Sequence, residues 1–148
     1  MVQVVEIGLW DVYAEGLNVR VLKRAMNPAE LRDLCLSFPG AEETFPFGPN
    51  TSVFKVAGKM FALSQLGADS LRVSLKCEPN LAVALREAYE AVIPGYHLNK
   101  RHWNTVIIDG SLPGDTVRDM IEDSYDLVVS KLPEARRRAL GWRAGPTA

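Results

Sequence analysis

The chain has 148 residues, a length that suits one domain with a sizeable core. Its 47% hydrophobic and 24% charged residues are ordinary for a globular protein, and its net charge of −1 gives no strong overall attraction to polyanions. Two cysteines in a chain of this size favour a reduced, cytoplasmic protein over a disulfide scaffold. The N-terminus lacks the features of a signal peptide, and no apolar run reaches the about 20 residues that cross a membrane, so we expect no membrane association.

Residues 1–26 mix helical and alternating patterns, and we expect them to form an N-terminal extension. The main domain, residues 27–133, opens with a helix. Asn27 is a good N-cap, Pro28 suits the first helical position, and Glu30 completes a capping box. The Pro-Gly pair that follows the apolar stripe ends this helix.

Strand signals dominate between Thr44 and Cys77. TSVFKVA and MFALSQL are rich in β-branched and aromatic residues, and Gly58-Lys59 is the expected hairpin connection between them. LRVSLK alternates, which predicts a strand with three apolar residues facing the core and Arg72, Ser74 and Lys76 on a polar outer face.

Two further helices and one strand complete the domain. The helix that opens at Pro79 has an expected buried stripe of Leu81, Ala84, Leu85 and Ala88, and NTVIIDG reads as the next strand. The last helix runs from Asp115 towards Pro133, and residues 134–148 are expected to be a basic, mobile tail. This order predicts an α+β fold in which helices cover one face of an antiparallel sheet.

The stretch PGYHLNKRHW, residues 94–103, holds the densest set of functional side chains, yet it fits no catalytic or metal motif. Its two histidines are five apart, which does not match the spacing of a helical zinc site. Neither cysteine lies in a nucleophile motif, and the glycines form neither a phosphate loop nor a dinucleotide fingerprint. We therefore expect no catalytic residues, no metal and no cofactor, and we expect that the protein is not an enzyme.

Basic and aromatic residues in the strands and in this stretch suggest a nucleic-acid surface instead. Residues 27–132 contain ten Lys or Arg and fourteen Asp or Glu, a net charge of −4, which disfavours a dedicated duplex binder. Most acids lie in the helices, so positive charge can concentrate on the sheet. The alternative is that the lysines are solvated strand ends and that Trp103 is a core anchor.

Five segments resemble the MmcQ/YjbR family in sequence and order, from about residue 27 to residue 133. They are LCLSFPGAEETFPFG, VFKVAGKMFAL, VSLKCEP, PGYHLNKRHWNTVIIDGSLP and IEDSYDLVVSKLP. The resemblance implies a CyaY-like (frataxin-like) α+β fold, described as a double-wing arrangement, and DNA binding. It supplies no catalytic residues.

The sequence therefore predicts a non-enzymatic DNA-binding domain of modest affinity, for single- or double-stranded DNA. The alternative function is a protein-interaction or small-ligand module without a nucleic-acid role. The candidate binding residues are Lys59, Arg72, Lys76, Tyr96, His97, Asn99, Lys100, Arg101, His102 and Trp103.

Overall fold

The computed structural model of the chain describes residues 25–66 and 70–142. The helices in this part are α1 (Pro28–Ser37), α2 (Pro79–Ala88), α3 (Gly114–Ser130) and α4 (Glu134–Ala139). The strands are β1 (Ala41–Thr44), β2 (Thr51–Val56), β3 (Lys59–Gln65), β4 (Leu71–Lys76), β5 (Val92–Pro94) and β6 (Trp103–Ile108). None of the described helices is both long and apolar enough to span a bilayer.

The six strands form one antiparallel sheet in the order β1-β2-β3-β4-β6-β5, so the predicted α+β class is confirmed. Short turns connect β2 to β3, whereas β4 reaches its neighbour β6 by way of α2 and β5. The edge strands β1 and β5 have four and three residues, and neither was predicted from the sequence. AEET has weak strand propensity, so β1 depends on its pairing with β2.

The helices lie on one face of the sheet, as predicted. Val73 and Leu75 of β4 and Val106 of β6 face the helices and join the buried core, to which α3 contributes Ile121 and Val129. The rings of Phe38 and Tyr125 stack on each other at a centroid distance of 4.8 Å, and Phe61 packs edge-to-face against both, at 6.0 and 5.4 Å. The Tyr125 hydroxyl donates to the Pro39 carbonyl, so this aromatic cluster also fixes the end of α1.

A serine hydroxyl of α3 joins two strands where their pairing ends. The β3–β4 ladder stops at Ala62 and Leu75, next to a β-bulge in β3. Just beyond it, Ser124 Oγ donates to the Phe61 carbonyl at 2.6 Å and accepts the Lys76 N–H at 2.9 Å. The fully buried hydroxyl thus satisfies one backbone group of each strand and binds both strands to the helix.

The structure agrees with the predicted cap of α1 and, within one residue, with the predicted turn of the β2–β3 hairpin. The capping box of Asn27 and Glu30 is present in both directions. The hairpin connection is Ala57-Gly58 rather than the predicted Gly58-Lys59. Both of its residues have positive φ (51° and 77°), as a two-residue type I′ turn requires, and Lys59 already belongs to β3.

The predicted buried stripe of α2 is wrong at Leu81, Ala84 and Ala88, which are exposed, and is confirmed only at Leu85, which is partly buried against the core. Leu81 is 44% exposed, whereas Ala82 is fully buried and lies beside β6. Polar contacts explain the rotation, because Asn104 of β6 donates to the Ala82 carbonyl and accepts from the Arg86 guanidinium. The hydrophobic pattern of a helix does not predict which side faces the sheet when hydrogen bonds to a neighbouring strand fix its rotation.

Part of the expected mobile tail, residues 134–142, is folded against the domain. Residues Glu134–Ala139 form α4, and Leu140 packs against the core beside Gly40. Trp142 Nε1 donates to Asp126 Oδ1 at 2.8 Å, which fastens the end of this segment to α3. The extension over residues 1–24 and the last six residues lie outside the described part of the chain.

We predict that Ser124→Ala lowers the free energy of unfolding by about 1–3 kcal/mol, because it leaves two buried backbone groups without a partner. Urea denaturation followed by circular dichroism measures this change. Ser130→Ala in the same helix is the matched control, since Ser130 is exposed and bonds only to Leu127 within its own turn. Equal losses in the two variants would contradict the bridging role.

Candidate nucleic-acid interface

One end of the sheet collects most of the candidate residues. The loop over residues 95–102 connects β5 to β6 at this end, where Lys76 at the end of β4 is paired with Trp103 at the start of β6. Because β3 is antiparallel to β4, Lys59 at the start of β3 lies at the same end. We call this region the loop end; it comprises residues 95–102, Lys59 and Lys76.

Close backbone contact between Gly95 and Trp103 closes the loop. The Gly95 N–H donates to the Trp103 carbonyl at 3.0 Å. A Cβ atom at residue 95 would lie 2.8 Å from the Trp103 Cβ and 2.9 Å from its carbonyl oxygen. The position therefore requires glycine because of the close approach of another backbone segment. Trp103 itself is only 9% exposed.

Hydrogen bonds from polar side chains hold the rest of the loop. Asn99 Oδ1 accepts the backbone N–H groups of Arg101 and His102, as in an Asx turn. Lys100 Nζ donates to the Gly95 carbonyl, and the Lys100 carbonyl accepts from Arg86 of α2. Asn99 and Lys100 thus shape the loop, which leaves them less free to contact a ligand.

Tyr96 and His97 form an exposed aromatic pair. Their ring centroids are 3.9 Å apart with an interplanar angle of 51°, and Tyr96 is 48% exposed. The Tyr96 N–H donates to Thr105 Oγ1 of β6, which fixes the start of the pair on the sheet. His97 has a positive φ of 59°, a conformation in which histidine is several-fold enriched among non-glycine residues.

Three cations at the loop end have no ion pair or side-chain hydrogen bond to any described residue: Lys59, Lys76 and Arg101. Lys59 and Arg101 are exposed, and Lys76 is half-buried. His102 is exposed beside Arg101, and its carbonyl accepts the N–H of Cys77. Charged groups that the fold does not use are available to an external anion.

Two candidates do not belong to this surface. Arg72 lies four residues from Lys76 along β4, about 13 Å towards the other end of the sheet. Its Nε is buried without a hydrogen-bond partner among the described residues. Trp103 is buried, so it anchors the loop and offers no exposed ring face for stacking. Trp103 lies outside the core cluster that the helices cover, so its burial anchors the loop rather than the core.

The centre of the face opposite the helices is not the open polar surface that the alternation of LRVSLK predicted. Ser74 and Thr105 are both buried there, and their hydroxyl oxygens are 2.7 Å apart. The face therefore presents polar residues mainly at its ends. Sequence reasoning also missed Arg86 and Asn104, whose contacts join α2 to the loop and carry no local sequence signal.

The described residues form neither a reactive thiol nor a metal site. Burial, and to a lesser extent the Glu43 carboxylate, raise the pKa of the Cys35 thiol to about 12. Burial and the nearby Asp123 also raise the pKa of Cys77. Both thiols are free, and both are protonated at neutral pH. Within residues 25–66 and 70–142, no cluster of three or more His, Cys, Asp or Glu is arranged to hold a metal ion.

Comparison with known proteins places this geometry in a family. The YjbR family model matches residues 36–127. The chain is 38% identical over 115 residues to the protein YjbR of Escherichia coli strain K12, an alignment that covers 78% of this chain and 98% of that protein. It is also 38% identical over 99 residues to YbdF of Escherichia coli O157:H7, covering 67% of this chain and 81% of YbdF.

Solved structures give the same result for the fold. A crystal structure of a Deinococcus radiodurans protein with a DUF419 domain superposes with a TM-score of 0.76 at 39% identity, over 82% of this chain and 92% of that chain. A crystal structure of a Pseudomonas syringae protein superposes with a TM-score of 0.61 at 28% identity, over 69% and 98%. These likenesses concern family and fold.

We predict that Gly95→Ala destabilises the protein by about 1–3 kcal/mol, because the added methyl group meets the backbone of Trp103. Thermal or urea unfolding checks this value, and amide exchange should show faster exchange across residues 95–102. The matched control is Gly114→Ala at the start of α3, where an added Cβ meets nothing within 4 Å. A Gly95→Ala protein as stable as the control would refute the close-approach constraint.

Proposed function

The chain belongs to the YjbR family, and from this premise we propose that it is a non-enzymatic DNA-binding domain that contacts single strands at its loop end. One observation carries the proposal: three cations without an ion pair to any residue in 25–66 or 70–142 share one end of the sheet with an exposed aromatic pair. Phosphates attract the cations, and a base can stack on the ring of Tyr96.

Charge distribution favours a modest affinity. The acids of α3 and of the α2 cap lie near this end, since Asp123 and Glu78 both act electrostatically on Cys77. They reduce the positive potential that Lys76 and Arg101 create. A surface with three available cations makes few phosphate contacts, and few contacts mean weak and sequence-independent binding.

The form of the surface favours single strands over duplex DNA. A duplex binder usually places a helix or a two-stranded ribbon in the major groove. At the loop end, the exposed element is instead a short loop with a Tyr-His pair. Aromatic rings stack on unpaired bases, which a duplex keeps inside its own stack. The proposed ligand is therefore a single strand bound without sequence readout.

The same observations support a cytoplasmic, non-enzymatic role. Two free thiols fit a reducing compartment. Their raised pKa values make them poor nucleophiles, which argues against cysteine catalysis. The loop end serves in this proposal as a binding surface, with Tyr96 as the stacking residue and Arg101, Lys76 and Lys59 as the phosphate contacts.

The test is fluorescence anisotropy with a labelled oligonucleotide of about 20 nucleotides, single-stranded or duplex, at ~50 mM salt and above. For three phosphate contacts to a single strand, log K should fall against log salt concentration with a slope of about −2. Arg101→Ala should weaken binding and reduce the slope by about 0.7. Tyr96→Ala should weaken binding and leave the slope unchanged, because it removes stacking and no charge.

Two arginines elsewhere on the chain provide matched controls. Arg118→Ala removes an exposed cation from α3, and Arg136→Ala removes one from the arginine run in α4. Neither should change the affinity. The proposal is wrong if the protein shows no saturable, salt-sensitive binding, or if Arg136→Ala weakens binding as much as Arg101→Ala does.

A further inference from the structure

A cleft of about 460 Å³ opens on the helix-covered side, at the end of the sheet away from the loop. Its walls come from the first turn of α1, the end of β1, and the residues of β2 and β3 that lie opposite each other there. Its volume is within the range of small-molecule sites, about 300–1,000 Å³. We call it the α1 cleft; it is lined chiefly by Leu31, Arg32, Glu43, Phe54 and Ser64.

Two small side chains create the cleft. Ser52 of β2 and Ser64 of β3 are direct cross-strand partners on the face that the helices cover. Both are almost fully buried, at 2% and 1% exposure. The next pair on the same face is Phe54 and Ala62, which belongs to the packed core. Two serines at one level of the sheet leave a space that larger residues would fill.

The polar side chains of the cleft are hydrogen-bonded, but Arg32 keeps N–H donors that no described residue accepts. Glu43 accepts from Arg32 Nε through one carboxylate oxygen and from Ser52 Oγ through the other, both at 2.7 Å. Ser64 Oγ is also used, since it donates to the Arg72 carbonyl. The Arg32 guanidinium has five N–H donors and spends one of them on Glu43. Glu43 is mostly buried, whereas Arg32 is more than half exposed, so the accessible groups at the mouth of the cleft are the remaining N–H donors of Arg32, which suit an anionic head group.

The remaining surface of the cleft is apolar. Leu31 and Phe54 are buried beneath it, and Phe45 and Leu66 stand beside it, each 47% exposed. Half-exposed large hydrophobic side chains next to a cavity can bury more area when an apolar group enters. The α1 cleft thus combines an apolar interior with an ion-paired arginine that keeps unused N–H donors at its rim.

We propose that the α1 cleft binds a small amphipathic carboxylate. Its aliphatic or aromatic portion lies against Phe54 and Leu31, and its carboxylate accepts hydrogen bonds from the free edge of the Arg32 guanidinium. Glu43 holds Arg32 at the rim through the Nε contact. This site goes beyond the proposed DNA binding and lies about 15 Å from Lys59 along β3, so either proposal can fail without the other.

The experiment uses three probes with one tail and different head groups: octanoate, octanol and octylamine. Saturation-transfer NMR and calorimetry on the full chain measure binding below the aggregation threshold of each probe. We expect octanoate to bind about 5-fold more tightly than octanol, the gain that an exposed ion pair gives, and octylamine to bind most weakly. Arg32→Gln should remove the preference for octanoate and keep the binding of octanol.

A second variant tests the cavity itself. Ser64→Leu should abolish the binding of all three probes, because the larger side chain fills the space between β3 and α1. If this variant does not fold, Arg32→Gln still decides the question, since Arg32 is more than half exposed and its loss leaves the core intact. Arg101→Ala is the matched arginine control and should leave octanoate binding unchanged.

Several outcomes would overturn the proposal. They are the absence of saturable octanoate binding, equal affinity for octanoate and octylamine, and undiminished binding to a folded Ser64→Leu protein. Binding that is seen only after residues 1–24 are deleted would assign the cleft to that segment. A dimer in sedimentation that Ser64→Leu dissociates would assign it to a second copy.

Discussion

The Ser124 hydroxyl is the contact on which the arrangement of this domain most depends. β3 and β4 separate beyond Ala62 and Leu75, and one buried side chain of α3 satisfies a backbone group on each of them. The contact fixes the position of α3 over the sheet, and with it the Tyr125–Phe61–Phe38 cluster that holds the end of α1. It also holds the backbone of Lys76 at the loop end, just beyond the last β3–β4 pair, where Lys76 still pairs with Trp103 of β6.

The two ends of the sheet have different chemistry because different residues close them. At the loop end, Gly95 allows the backbone of β5 to approach Trp103, and side chains such as Asn99 satisfy the loop from inside. The backbone N–H groups of Tyr96 and Arg101 bond within the domain, and their side chains remain exposed. At the other end, Ser52 and Ser64 leave an apolar space beneath α1. The two surfaces share no residues, because they lie at opposite ends of the strands.

The sequence is informative wherever the interaction that decides a structure is local. The capping box of α1 and the alternation of Val73 and Leu75 act within a few residues, and they are predicted correctly. The rotation of α2 depends on Asn104, 22 residues from Ala82 along the chain, and the folding of residues 134–142 depends on Asp126. The sequence predicts the loop-end residues as a group and offers a buried Trp103 as an alternative, but it does not predict that Arg72 lies at the far end. The α1 cleft has no sequence signal, because it arises from two serines that only strand register brings together.

The two edge strands bear on how copies of this protein can meet. An exposed edge offers unpaired N–H and C=O groups to any other strand, and long flat edges invite aggregation. Here β1 has four residues, two of them glutamates, and β5 has three and ends at Pro94, which has no N–H to donate. Neither edge can add a long strand from a second molecule, so self-association through the described part of the chain favours side chains on a face or at a loop. Such a contact can be changed by surface substitution without disturbing the sheet.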